Sequence, residues 1–422
     1  MFLSDLHPTT RRLLMARAVR SLGQGALVVD LTLYLHSLNW SGVKIGLALS
    51  GAGLFGALLS LVVGVASDRL RRRPFLLVYE IIILICSIIA LLTAQPLILM
   101  AVIIVSGFGR GANGAAGPFS PAEQAWLAEE VAPEKRGRIY SLNSALGFFG
   151  MGIGALIAIL PSLLPAATGT TQHFANIPPS SYRPIFAVVG FATLINLYLL
   201  FMADEKYRGN HRRTNSHPDE TESRIRRDEN KMLFKLLFLN SFNGVAVGLT
   251  GPLISYWFAL RYHVGPSEIA PVMAVTFIIT GISALMTGTL TERIGIVQSV
   301  VRARLLGLVL LIILPLMPLY WLASAVYLLR SAVNRGTIGA RQALTIGLVR
   351  DERRGLATST NAVSMQLPQS VGPTVAGYLL SVNQFTLPFY IAAFFQGIYV
   401  LAYAKVFKDY NLPRSEMNNS QV

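Results

Sequence analysis

The sequence predicts an all-α polytopic membrane protein, with twelve transmembrane helices in two pseudo-symmetric six-helix bundles. Three observations carry this. The chain is apolar and poor in charge, it divides into stretches of membrane-spanning length, and its second half repeats motifs of its first. Charged residues make up 14% of the 422 residues and apolar ones 53%, and the mean hydropathy is +0.53. A soluble domain carries roughly 25% charged residues. The balance excludes an ordinary soluble enzyme, a disordered chain and a secreted disulfide scaffold. Cys86 is the single cysteine, so neither an intramolecular disulfide nor a cysteine metal site is expected. No metal site of any kind is expected. The first apolar run, 13–38, is too long for a cleavable signal and carries Arg20 and Asp30. It reads as a retained first span.

Runs of about 20 apolar residues, the length that crosses a bilayer, fall at 12–38, 43–66, 74–95, 97–119, 137–161 and 184–203. After a polar gap they resume at 232–260, 267–290, 300–319, 320–346, 355–381 and 387–407. The domains are therefore a first bundle over 1–203, a flexible cytoplasmic linker over 204–231 and a second bundle over 232–422. The net charge is +15. Its basic residues lie in loops: Arg11 and Arg12; Arg69 and Arg71 to Arg73; Lys135, Arg136 and Arg138; Arg350, Arg353 and Arg354; Lys405 and Lys408. That is the positive-inside pattern rather than a nucleic-acid footprint. It places these loops and both termini in the cytoplasm of a multi-pass cytoplasmic (plasma) membrane protein, with the lipid bilayer as partner and no nucleic acid. A monomer is expected.

The halves match at separated places. Gly64-Val-Ala-Ser-Asp68-Arg69 matches Gly288-Thr-Leu-Thr-Glu292-Arg293, and Arg110-Gly-Ala-Asn-Gly114 matches Arg335-Gly-Thr-Ile-Gly339. Gln124 with Arg136-Gly137 matches Gln342 with Arg354-Gly355. The offset is 224 or 225 before residue 115 and 218 after residue 123, which localises a short insertion in the first half. Parallel repeats of this kind place a substrate site between the halves near the midplane.

The segment Gly64-Val-Ala-Ser-Asp68-Arg69-Leu-Arg71-Arg72-Arg73-Pro74 resembles the G-x-x-x-D-R-x-G-R-[RK] signature of the major facilitator superfamily, with Arg71 in place of the glycine. The resemblance covers nearly the whole chain and implies the major facilitator fold. It makes Gly64, Asp68, Arg69, Arg72, Arg73, Glu292 and Arg293 a gating motif, latched against the start of helix 11. Thr358 and Ser359 are possible caps there. Arg110-Gly-Ala-Asn113-Gly114 resembles the R-x-x-x-G motif of proton-coupled drug exporters in the superfamily. Val28-Val29-Asp30-Leu31-Thr32 resembles their acidic first-helix motif. The antiporter signature of helix 5 is only partly kept: Gly150 and Gly154 are present, with Ala155 where proline would be. The repeat position in helix 11 has Gly372-Pro373. All four read as helix-packing residues.

Read as residues, Arg110 is an intramembrane arginine, which costs on the order of 3 kcal/mol by insertion scales. It is either functional or structural. Asp30 reads as the only acid well inside an uninterrupted apolar run. It is either a proton carrier or a packing residue bonded to a helix end. Arg20 and Gln24 share a face of helix 1. Arg330, Arg335 and Arg341 line helix 10, where they either hold an anion or pair with Glu123, Asp30 and backbone carbonyls. Tyr256, Trp257, Tyr262, Tyr320, Trp321 and Tyr327 sit near span ends, as an interfacial belt or as a binding cage.

The expected protein is a secondary active transporter of a small solute working by alternating access, not an enzyme. Arg20, Gln24, Asp30, Arg110, Asn113, Asn243 and Arg335 are the candidates for substrate binding or proton coupling. No cofactor is expected, and the proton is the expected coupling ion. Proton-coupled efflux of drug-like or amphipathic compounds is the first subtype, and selective organic-anion transport the alternative. A membrane-embedded enzyme is the remote alternative: the six histidines form no H-E-x-x-H pair, and no phosphate-binding loop occurs.

Overall fold

The structure is a computed structural model. It describes residues 6–67, 71–110, 117, 120–131, 133–164, 177–205, 220–294, 296–338, 341 and 354–407. Among these, the regular secondary structure is helical. In the first half the helices are α1 (Pro8–Ser37), α2 (Gly42–Ser67), α3 (Arg72–Leu92), α4 (Pro96–Ser106), α5 (Ser120–Glu129) and α6 (Pro133–Ile157). They are followed by the short turns α7 (Leu160–Leu163) and α8 (Pro179–Tyr182), and by α9 (Pro184–Phe201). The second half holds α10 (Glu220–Thr250), α11 (Ile254–Tyr262), α12 (Pro266–Ile294), α13 (Ile296–Ile313) and α14 (Tyr320–Gly336). It ends with α15 (Arg354–Gln369), α16 (Gly372–Ser381) and α17 (Leu387–Val406).

Proline begins many of these helices for a local reason: its fixed φ suits the first turn, where an N–H has no partner anyway. Pro8, Pro96, Pro184 and Pro266 all sit there. Eight of the described helices are long and apolar enough to cross a membrane.

Three spans depart from the continuous runs expected. The α-helix of span four stops at Ser106, because Gly107 and Gly109 adopt φ of 73° and 81°, and the next described α-helix begins at Ser120. Span seven breaks at Gly251-Pro252-Leu253, and span eleven at Ser370-Val371 just before Pro373. Proline removes a donor and crowds the preceding turn, which hydropathy does not register. The linker also differs from the flexible segment expected over 204–231, since residues 220–231 already form the first turns of α10. Thr358 and Ser359 lie inside α15 rather than capping it.

Small residues set the packing. In the first half α1 lies between α6 and α9, and α3 packs on α9. A Cβ on Gly25 would meet the Met151 carbonyl oxygen at 2.1 Å, and one on Gly248 the Gln369 carbonyl oxygen at 2.2 Å. These are equivalent contacts in the two halves, α1 on α6 and α10 on α15. Gly150 and Gly154 of α6 back onto the Ala18 and Leu22 carbonyls, and Gly372 onto the backbone of Gly248. With lipid outside and apolar side chains inside, such close approach is what association in a bilayer relies on.

The halves meet along α6–α12 and along α2 with α15 and α16. At the end remote from Arg12, Gly42 and Gly377 each press on the other's carbonyl, and Pro373 offers its carbonyl to Gly46. Thr374 donates to Ser50 Oγ from its backbone N–H at 3.1 Å and its hydroxyl at 2.7 Å. Ser255 Oγ donates to the Val28 carbonyl at 2.9 Å. Large apolar side chains such as Leu97, Phe191 and Leu401 point outward, as a lipid-facing surface requires.

The aromatic residues correct an expectation. Tyr256, Trp257, Tyr320 and Tyr327 are buried rather than interfacial. Trp257 packs on Phe389 at 4.6 Å and Tyr327 edge-on to Phe258 at 5.7 Å. Only Trp321 of this group faces outward, 68% exposed.

Gly154→Leu is expected to cost about 1–3 kcal/mol or more by overpacking, since its Cβ would meet the Leu22 carbonyl oxygen at 1.9 Å. Gly397→Ala, whose nearest neighbour would be at 3.8 Å, should be near neutral. Thermal unfolding of the purified proteins in detergent checks both.

Candidate functional site

The polar centre of the first half is built on Arg20, midway along α1. Its Nε donates to Glu80 Oε1 at 2.7 Å and its Nη1 to Glu123 Oε2 at 2.5 Å. Glu80 comes from α3 and Glu123 from α5, so one guanidinium ties three helices. All three side chains are buried. Arg17, one turn earlier on α1, lies over Gly147 of α6 and within electrostatic reach of Glu123. Two arginines therefore share a buried interior with two carboxylates, and these four charges cancel. Asp30 is thus not the only acid deep in an apolar run. Glu80 sits well inside span three and is 1% exposed. The residue type was visible in the sequence, but its partner on α1 was not.

Arg20 and Gln24 line one cavity with Tyr79, Glu80 and Phe108. It lies among α1, α3, α9 and the turn after α4, inside the first bundle rather than between the halves. Gln24 Oε1 is buried without a hydrogen-bond partner. The Arg110 guanidinium packs onto Gly56 of α2, where a Cβ would displace it. Asp30 stands apart from this centre. It is 1% exposed, and neither carboxyl oxygen has a hydrogen-bond partner. The pairing with Glu123 offered to the helix 10 arginines is taken by Arg20.

In the second half Asn243 of α10 accepts from Arg304 Nη1 of α13 at 3.0 Å and donates to Met365 Sδ of α15 at 3.8 Å. The Arg304 guanidinium lies over the Tyr399 ring of α17 at 5.7 Å. Arg335 of α14 bonds Tyr327 at 3.4 Å and lies 5.6 Å from the Phe277 ring. The contacts of Arg20 and of Asn243 tie each into its own bundle. Arg304 is a further buried ionisable residue absent from the sequence candidates. The repeat offset pointed to it, because Arg304 stands 224 residues after Glu80.

Of the gating motif, Gly64 lies in α2. Asp68 and Arg69 fall outside the described residues, as do Asn113 of the helix 4 motif and the side chains of Glu292 and Arg293. Arg72 pairs with Glu129 at 2.6 Å. The Arg72 and Arg73 backbone N–H groups donate to the Glu205 carboxylate at 2.7 and 3.1 Å, capping the start of α3. Arg12 and Arg73 bond the Met202 and Phe201 carbonyls at the end of α9. The basic rim thus gathers the ends of α1, α3, α5 and α9 on one side.

The family model described as Major Facilitator Superfamily matches residues 13–339 and 236–420. The chain belongs to the major facilitator superfamily. It is 20% identical over 400 residues to an uncharacterized membrane protein of Saccharomyces cerevisiae, covering 89% of this chain and 88% of that one. It is 26% identical over 378 residues to the multidrug resistance protein MdtG of Proteus mirabilis, covering 86% of each. A shorter likeness, 27% over 160 residues, is to the multidrug resistance protein MdtH of Cronobacter sakazakii, covering 33% of this chain and 37% of that one. Among solved structures, a D-xylose–proton symporter superposes with a TM-score of 0.70 at 13% identity, covering 93% of this chain and 96% of that one. The nucleoside transporter NupG superposes with a TM-score of 0.65 at 13% identity, covering 95% of this chain and 99% of that one. These likenesses show the twelve-helix major facilitator fold. The superfamily makes this multi-pass membrane protein a transporter of small solutes and not an enzyme.

Within that fold, Arg20→Gln is expected to lose about 3–5 kcal/mol, because it leaves two buried carboxylates without their cation. Glu123→Gln should cost less, since Arg20 keeps Glu80. Unfolding temperatures of the two purified variants, ranked against the wild type, check the order.

Proposed function

We propose that the protein is a proton-coupled exporter of drug-like or amphipathic compounds that works by alternating access, with residues 1–203 rocking against 232–422. The observation that carries the coupling is Asp30, a buried carboxyl on α1 whose oxygens have no hydrogen-bond partner. An ionised carboxylate without a partner is costly in a dry interior. The position therefore suits a group that exchanges a proton when the conformation opens it to water. Asp30 lies two residues beyond Val28, whose carbonyl joins the halves through Ser255, so separating them there would change its surroundings. The likeness to MdtG and MdtH, both named multidrug resistance proteins, supports the direction and the substrate class.

The energetics are adequate. One proton crossing 100 mV supplies about 2.3 kcal/mol, whereas a tenfold gradient of a neutral solute costs about 1.4 kcal/mol. The working unit is a monomer in the cytoplasmic membrane with both termini in the cytoplasm, and it uses no cofactor. The basic rim supports that orientation.

Cells expressing the wild type are expected to extrude a lipophilic dye, and a protonophore should abolish the efflux. Asp30→Asn should abolish it at normal membrane expression. Efflux that persists in Asp30→Asn rejects Asp30 as the carrier. A wild type that is expressed but extrudes no dye rejects the drug-export reading.

A further inference from the structure

The two halves repeat their backbone but not their charges. Gly25 on Met151 and Gly248 on Gln369 are equivalent contacts, 223 and 218 residues apart in sequence. The same offsets carry Arg17 and Arg20 onto Asn240 and Asn243, and carry Glu123 onto Arg341. Glu80, at the 224-residue offset, falls on Arg304. Hydrogen bonds support the match. Arg20 of α1 meets Glu80 of α3 in the first half, and Asn243 of α10 meets Arg304 of α13 in the second. Where the first bundle has two arginines and two carboxylates, the second has two asparagines and two arginines.

Among the described residues no acid answers Arg304. From residue 232 to 407 the acids are Glu268, Glu292, Asp351 and Glu352; Glu268 and Glu292 stand at the two ends of α12, and Asp351 and Glu352 fall outside the described residues. Glu268 is occupied with the Gly265 N–H and the Ser267 hydroxyl at the start of α12. Arg330 of α14 and Arg341 lie within electrostatic reach of Arg304. Among the described residues no carboxylate pairs with Arg304, Arg330 or Arg335. Arg304 is 4% exposed, and its Nε has no hydrogen-bond partner. The same holds for Arg330 Nε and Arg335 Nη1. Cations at membrane depth are retained with a partner or in a watered cavity, and guanidinium groups match carboxylate and phosphate oxygens.

We infer that Arg304 and Arg330, oriented by Asn243 and backed by Arg335, receive the anionic group of an amphipathic carboxylate or phosphate ester. The inference rests on the transporter reading and names the charge of its substrate. The first bundle, where the charges of Arg17, Arg20, Glu80 and Glu123 cancel, then takes the uncharged part of the molecule or serves the proton. A lipid headgroup offers the same phosphate chemistry, so the test separates the two sources.

The full chain is placed in phosphatidylcholine nanodiscs and its unfolding temperature followed against ligand concentration. Phenyl phosphate is expected to stabilise it, whereas benzyl alcohol and benzylammonium are not. Arg304→Gln and Arg330→Gln should each weaken phenyl phosphate binding by about tenfold or more. Arg302→Gln, on the exposed face of α13, should leave binding unchanged. If Arg304→Gln does not fold, Arg330→Gln decides alone. Equal stabilisation by all three probes, or unchanged affinity in Arg330→Gln, overturns the inference. So does stabilisation by phosphatidylglycerol discs that depends on Arg330 while phenyl phosphate has no effect, which would assign the arginines to lipid. Dye efflux is not read in this assay. Failure of export therefore leaves an anion-binding result standing, and indifference to anions leaves an efflux result standing.

Discussion

An ionised side chain inside an apolar bundle has to find its opposite charge there, because neither lipid nor packed protein can hydrate it. Arg20 meets that requirement twice, through Glu80 and Glu123, and the arrangement of the first bundle follows from it. The arginine is on α1 and the acids are on α3 and α5, so the three helices converge where the charges do. The broken fourth span contributes as well: the turns at Gly107 and Gly109 end α4 early, and α5 then carries Glu123 inward. Removing one partner costs more than the pair contributes, since the desolvation of the survivor is left uncompensated. Such a centre specifies which helices meet more than it adds to stability.

The second bundle uses the same backbone plan with different chemistry. Glycine-to-carbonyl contacts recur at matching positions, and its first-helix equivalent again bonds a side chain of its third. The polar groups differ, however: asparagine stands for arginine and arginine for glutamate. Close helix approach depends only on the absence of a Cβ, so it survives duplication without constraining the polar positions. Charge is free to diverge so long as some partner, internal or bound, answers it.

The contact between the halves is of another kind. Ser255 to Val28, Thr374 to Ser50 and the Gly42–Gly377 approach are neutral hydrogen bonds and bare backbone. Each neutral hydrogen bond contributes a net of about 0.5–1.5 kcal/mol. A handful of them joins the halves at one end without locking them together. Among the described residues the ion pairs lie within a bundle and neutral contacts lie between bundles, a division of strength that suits the proposed rocking of the halves.

The sequence by itself determined the helical class, the twofold repeat and the positions of nearly all spans. Those follow from the run length of apolar residues and from motif spacing, which are local properties. It also singled out Arg20, Asp30, Asn243 and Arg335 as polar residues at depth. Only the tertiary structure decided that Arg20 belongs to Glu80 and Glu123, that Asp30 has no hydrogen-bond partner, and that Asn243 belongs to Arg304. The helix breaks at Gly251-Pro252 and Ser370 and the burial of Trp257 and Tyr327 were likewise outside its reach. Partners on different helices are separated by 60 and 103 residues in the first case and 61 in the second. Hydropathy measures what a residue does to its own segment. Whether a charge is answered depends on which helix packs opposite, and that is settled only when the helices assemble.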